Sequence, residues 1–171
     1  MKGYIHVYTG NGKGKTTAAF GLALRAIGAG KSVYIAQFIK GKPYSEIEAI
    51  KHYKLGITVE QFGLNCFIYN RPTEADVDAA RKGLKEVAQI INLNKYDVVV
   101  LDEICIALYY NIFPAIDVVK ILETKPLETE IVITGRYAPP EIIAVADLVT
   151  EMREIKHYFS EGVDARIGFE F

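Results

Sequence analysis

Thr9-Gly10-Asn11-Gly12-Lys13-Gly14-Lys15-Thr16-Thr17 follows the apolar run Tyr4-Ile5-His6-Val7-Tyr8 and opens a stretch, Thr16 to Ile27, whose apolar residues recur at helical spacing. A glycine-rich turn between a strand and a helix is a phosphate-binding arrangement. Glycines permit positive φ, so several N–H groups converge on one point, and the helix that follows adds the positive end of its dipole. Lys15 then supplies a charge to the phosphates and Thr16 a hydroxyl for magnesium. The usual G-x-x-x-x-G-K-[ST] pattern wants glycine where this chain has Thr9; the glycines stand inside the loop instead. The extra Lys13 reads equally well as a solvated loop lysine or a second phosphate contact.

Working outward, Gly28 and Gly30 stop the first helix before Ser32-Val33-Tyr34-Ile35-Ala36-Gln37-Phe38, a second apolar strand. A strand, a crossover helix and another strand imply parallel pairing, as in α/β folds. A short helix is expected around Glu46 to Tyr53 and a short strand from Ile57 to Gln61. From Phe62 to Pro72 periodicity disappears, although Phe62, Phe67, Ile68 and Tyr69 need somewhere to go; the segment reads as a loop folded over the core or as a ligand-facing lid. Thr73 caps a long amphipathic helix, with Asp76 completing an acidic capping box and Val77, Ala80, Leu84, Val87 and Ile91 on one face.

Val98-Val99-Val100-Leu101 has no alternation, so it predicts a strand buried on both faces near the middle of a parallel sheet. It ends in Asp102-Glu103. Carboxylates at the carboxyl end of a central strand lie beside the phosphate loop in this architecture and hold magnesium directly or through water. Another helix is predicted around Ile116 to Leu122 and another buried strand over Glu130 to Thr134, followed directly by Gly135-Arg136. An arginine there faces the same crevice as Lys15, and its planar fork suits phosphate oxygens; the competing reading is a surface arginine paired with an acid. Pro139-Pro140 opens a short helix through Val145, and Asp147 to Arg153 reads as a sixth strand turning polar toward solvent. The remainder, Lys156 to Phe171, has aromatic residues and no clear period.

The 171 residues, half of them hydrophobic, suit one domain, 1–171, with a sizeable core. Lys and Arg number 20 against 21 Asp and Glu, so the basic excess that draws proteins onto nucleic acid or anionic membranes is missing. Cys66 and Cys105 form neither a C-x-x-C pair nor a disulfide framework, which fits a reducing compartment. With no signal-like start and no apolar run of about 18 residues, a cytoplasmic protein is expected.

Together these segments resemble the ATP:corrinoid adenosyltransferases of the cobalamin-biosynthesis type over nearly the whole chain. The resemblance is carried by the loop Thr9 to Thr17, by Gln37-Phe38-Ile39-Lys40-Gly41, Val99-Val100-Leu101-Asp102-Glu103 and Thr134-Gly135-Arg136, and by Glu151-Met152-Arg153-Glu154-Ile155-Lys156-His157. It implies a three-layer, RecA-like P-loop NTPase fold with a central, mostly parallel sheet of about six strands. It further implies a homodimer that transfers the 5′-deoxyadenosyl group of ATP to the Co(I) of a reduced corrinoid, either cobalamin or cob(I)yrinic acid a,c-diamide, and releases triphosphate. The purpose would be adenosylcobalamin synthesis or salvage, with a reduced flavoprotein as candidate electron donor.

Carried over residue by residue, Gly10, Asn11, Gly12, Lys13, Gly14, Lys15, Thr16 and Thr17 wrap ATP, and Arg25 and Arg136 reach its phosphates. Thr16 and Glu103, with Asp102, hold Mg2+ or Mn2+, and Lys15, Glu103 and Arg136 carry the catalysis. The family's aromatic pair on the lower corrinoid face falls on Phe67 and Tyr69, where relatives place tryptophan second. Many relatives also have an extra amino-terminal segment over the site, so a more open site is expected here. Two rival readings remain: a RecA-like ATPase or kinase with Glu103 orienting water, and a non-catalytic nucleotide- and corrinoid-binding carrier.

Overall fold

The computed structural model describes residues 1–42, 44–64 and 71–171. Its elements alternate as β1 (Ile5–Thr9), α1 (Lys15–Gly28), β2 (Val33–Phe38), α2 (Ser45–His52), β3 (Ile57–Phe62), α3 (Glu74–Asn92), β4 (Val98–Asp102), α4 (Ile104–Tyr109), α5 (Ala115–Glu123), β5 (Glu130–Thr134), α6 (Pro140–Val145) and β6 (Leu148–Glu151). The strands form one sheet in the order β3-β2-β4-β5-β1-β6, with every pairing parallel.

Strand residues alternate between the two faces of a sheet, so each strand feeds two cores. Val33 and Ile35, Val98 and Val100, and Val132 pack with Ala19 and Ala23 of α1. The residues between them, Tyr34 and Ala36, Val99 and Leu101, Ile131 and Ile133, join Val87 and Ile91 of α3, Ile104 of α4, Val118 of α5 and Ile142 of α6. The result is three layers, with α1 on one face and α3 to α6 on the other. Val100 and Leu101 are fully buried on opposite faces, and each such side chain stabilises the fold by about 1.5–3 kcal/mol. This is why β4 reads as an unbroken apolar run.

Thr73 and Asp76 make the reciprocal capping box at the start of α3. Helix α4 was not foreseen. Its six residues, Ile-Cys-Ile-Ala-Leu-Tyr, are almost all apolar, and a helix buried nearly all round has no polar stripe to reveal its period. β6 is exposed along its length, as expected of an edge strand turning polar.

Candidate active site

All six strands run the same way, so their carboxyl ends share one edge of the sheet. Four features meet there: the phosphate loop after β1, Asp102-Glu103 after β4, Thr134-Gly135-Arg136 after β5, and Ile39-Lys40 after β2. They border a crevice of about 750 Å³.

The loop's departure from the common pattern has a packing cause. Gly10 has φ 95 and Gly14 φ 114, and a Cβ on Gly10 or Gly12 would lie 2.5 or 2.7 Å from the Met152 carbonyl oxygen. The loop is therefore pressed against the backbone that leaves β6, and the Gly12 N–H donates to that carbonyl at 2.6 Å. Thr9 can stand where glycine is usual because it is still strand. Its carbonyl accepts from the Met152 N–H and its hydroxyl oxygen from the Ala138 N–H. Lys15 is buried and folded back over the loop, with Nζ donating to the carbonyls of Gly10 and Gly12 at 2.7 Å each. Burial lowers its pKa, partly opposed by Glu103. An anion entering the loop would satisfy this ammonium better than two neutral carbonyls do.

Asp102 has the same strand parity as Val98 and Val100, so its carboxylate faces the first turn of α1. Gln37 on β2 and Thr134 on β5 share that parity in the flanking strands, and Gln37 stands directly opposite Asp102. Both carboxylate oxygens are consequently occupied. Oδ1 accepts from the hydroxyls of Thr16 at 2.9 Å and Thr134 at 2.7 Å, and Oδ2 from the Gln37 amide at 3.0 Å and the Lys40 ammonium at 2.8 Å. Burial alone would raise the pKa of this fully buried acid, but the Lys40 charge and these hydrogen bonds hold it below the usual carboxylate range. For Lys40, burial pulls down and the charges of Asp102 and Glu103 pull up; the carboxylates prevail and its pKa is raised.

Glu103 behaves differently. It sits at φ 60, in the left-handed region that non-glycine residues seldom adopt, with its N–H held by the Thr134 hydroxyl at 2.9 Å. That turn swings its side chain out of the strand and into the crevice. No hydrogen bond or ion pair reaches its carboxylate among the described residues. Burial, reinforced by the neighbouring Asp102 charge, raises its pKa against the pull of Lys40, Lys15 and Arg136. Gly135 follows Thr134 at φ 138, and a Cβ there would stand 2.7 Å from Cys105 Cβ, so glycine is what lets β5 and α4 close around this corner.

Arg136 is exposed on the rim, with Nη2 3.4 Å from the Asn11 carbonyl and no carboxylate partner among the described residues. Thr17 also lines the crevice. Lys13 is an exposed loop lysine whose ammonium is paired: its Nζ lies 2.6 Å from Glu170 and 2.9 Å from the Tyr158 hydroxyl. The segment after β6, unperiodic in sequence, thus crosses the loop as a strap, and Gly168 to Phe171 form part of the crevice wall. Arg25 is not brought to the site. It is exposed near the far end of α1, ten residues beyond Lys15, or about 15 Å of helical rise. Phe67 and Tyr69 lie outside the described residues. Gln37, Lys40 and Thr134 were missed as individual site residues; the period-2 parity shared with Asp102 was the available signal for Gln37 and Thr134.

The chain matches the family model described as ATP:corrinoid adenosyltransferase BtuR/CobO/CobP over residues 1–171. It is 39% identical to a corrinoid adenosyltransferase of Escherichia coli strain K12, over 99% of this chain and 86% of that protein. It is 42% identical to one from a Sinorhizobium species, over 99% of this chain and 81% of that protein. Among solved structures, the flagellar accessory protein FlaH of Methanocaldococcus jannaschii superposes with a TM-score of 0.60 at 14% identity, covering 88% of this chain and 71% of that one, a likeness of fold alone. The sheet, the crevice and this near-complete sequence match agree, and the protein belongs to the ATP:corrinoid adenosyltransferase family.

Proposed function

We propose that the protein transfers the 5′-deoxyadenosyl group of ATP to the Co(I) centre of a corrinoid and releases triphosphate. The observation that carries this reading is a phosphate-loop crevice bordered by four cations, in a chain that matches this family over residues 1–171. Lys13, Lys15, Lys40 and Arg136 border it, while the Cys105 thiol beneath is buried and pushed up to about 12, out of reach of thiolate chemistry. Such a site suits a reaction whose nucleophile arrives with the substrate. Co(I) gives an electron pair to the ribose C5′, the C5′–O bond breaks, and that bond's pair leaves with the triphosphate. The chain's work is to hold ATP in line and to balance charge on the leaving group. Loop N–H groups and Lys15 bind the phosphates, Arg136 closes over them from the rim, and the strap beyond β6 limits water.

The residues suit a hard divalent cation. Thr16, Asp102 and Glu103 offer only oxygen, and the Glu103 carboxylate faces the crevice without a partner among the described residues. Mg2+ or Mn2+ would be held by Thr16 and Glu103, with Asp102 orienting Thr16, and would neutralise phosphate charge. Phe67 and Tyr69 are assigned to the lower corrinoid face by family resemblance. The same resemblance suggests a homodimer and a reduced flavoprotein as electron donor, and the cysteine pattern suits the cytoplasm. No helix among the described residues is long and apolar enough to cross a membrane.

The unpaired Glu103 carboxylate also suits a hydrolase that orients water, which is the second reading. The test is to supply ATP, magnesium and chemically reduced cobalamin and to follow the light-sensitive spectrum of the Co–C bond. Its appearance in proportion to enzyme supports adenosyl transfer. A protein that consumes ATP and never forms that bond is the hydrolase.

A further inference from the structure

Lys40 has no place in the phosphate-loop pattern, yet its ammonium occupies a central position in the site. Nζ lies 2.8 Å from Asp102 Oδ2 and 3.1 Å from Thr16 Oγ1. Thr16 gives its proton to Asp102 Oδ1, so toward Lys40 its oxygen acts as acceptor. A cation of charge one is therefore already seated between the hydroxyl and the carboxylate that a divalent cation would use. A second cation beside it would meet like-charge repulsion at contact distance.

The backbone that presents this ammonium is fixed. Ile39 turns out of β2 at φ 60, and its N–H donates to the Phe62 carbonyl. Gly41 and Gly63 are packed back to back: a Cβ on Gly41 would lie 2.5 Å from the Gly63 carbonyl oxygen, and one on Gly63 2.5 Å from the Lys40 nitrogen. Neither position accepts a side chain without moving the turn. The four-carbon stem has rotatable bonds that the turn does not fix, and Lys40 lines the same crevice as Lys15 and the loop glycines.

We propose that Lys40 is a tethered counter-ion that fills the seat between Thr16 and Asp102 until ATP arrives, so that a divalent cation enters only with the nucleotide as the ammonium moves across to the triphosphate. Lys40 is thereby a positioning residue for metal and phosphate. The idea rests on the assignment of Thr16 and the acid pair to a metal-nucleotide site.

Mn2+ binding tests it without any corrinoid. The spectrum of free Mn2+ is followed by electron paramagnetic resonance as protein is added without nucleotide. Wild type should bind Mn2+ weakly in the absence of nucleotide. Lys40→Met, which leaves Asp102 without its counter-ion, should bind Mn2+ alone at least about tenfold more tightly than wild type, while Lys40→Arg should resemble wild type. Metal-free ATP should bind Lys40→Met about tenfold more weakly, a change of opposite sign that general damage to the fold cannot produce alongside a gain in Mn2+ affinity. Equal Mn2+ affinity in wild type and Lys40→Met would overturn the proposal. If Lys40→Met does not fold, Lys40→Gln takes its place, since it removes the charge and keeps a polar head group, and equal affinity for Mn2+ alone in it and in wild type would overturn the proposal. Adenosyl transfer is absent from the readout, so failure here leaves that reaction standing, and the reverse also holds.

Discussion

Asp102 and Glu103 are adjacent acids with opposite surroundings. Asp102 is fully buried yet kept ionised by four donors, whereas Glu103 faces the crevice with burial and the Asp102 charge both opposing its ionisation. The backbone makes the difference: one residue ends a strand in extended geometry and the next sits at φ 60. A carboxyl whose folded pKa is raised contributes stability below its unfolded value, about 4.3, and that contribution is lost as pH rises through the folded value. Ionised Glu103 therefore costs stability at neutral pH. Glu103→Gln should raise the thermal midpoint at pH 7, and the advantage should shrink toward zero as pH falls below about 4.3, where glutamate is neutral in both states. The same variant should lose adenosyl transfer, since its carboxylate is assigned to the metal. A variant no more stable than wild type at pH 7 would mean that the carboxylate has a compensating partner.

At the scale of elements, the sequence exposed those whose pattern is local. The strand, glycine turn and helix from Ile5 to Gly28, the capping box at Thr73 and Asp76, and the unalternating β4 each carry their signal within a few residues, and each appears at its expected place. Helix α4 did not, because burial nearly all round erases periodicity. The strap from His157 to Phe171 did not either, because its order comes from contacts with Lys13 and Ser45, more than a hundred residues away in sequence.

Helix α3 offers a test of packing on the sheet. Gly83 lies in its interior, and an added Cβ would fall 2.4 Å from Cγ of the buried Phe62 ring, which in turn packs 5.9 Å from Phe38. In an open helix Gly→Ala gains about 0.5–1 kcal/mol, but overpacking a core costs about 1–3 kcal/mol. Gly83→Ala should therefore lower the urea midpoint with an unchanged slope, for a net loss of about 1 kcal/mol. A gain in stability would show that the Phe62 ring yields freely.

For the whole molecule, the order β3-β2-β4-β5-β1-β6 decides which strand ends become neighbours, and strand neighbours are the least local feature of a sheet. Inserting β5 between β1 and β4 places Thr134 where it can serve both Asp102 and Glu103. Lys15, Thr16 and the acid pair were legible from spacing alone. Gln37, Thr134 and Lys40 join them only once the strands are laid side by side, and Arg25, which no strand order affects, stays on the far turns of α1. The proposal that the C5′–O bond of ATP is the one broken rests on membership of the family, and the cations around the phosphate loop suit the triphosphate it would release. The direct measurement is the product ratio: with ATP, magnesium and chemically reduced cobalamin, one triphosphate should appear for each adenosylcobalamin formed, and Lys15→Ala should abolish both together. Steady release of ADP and phosphate that is indifferent to the corrinoid would contradict the account.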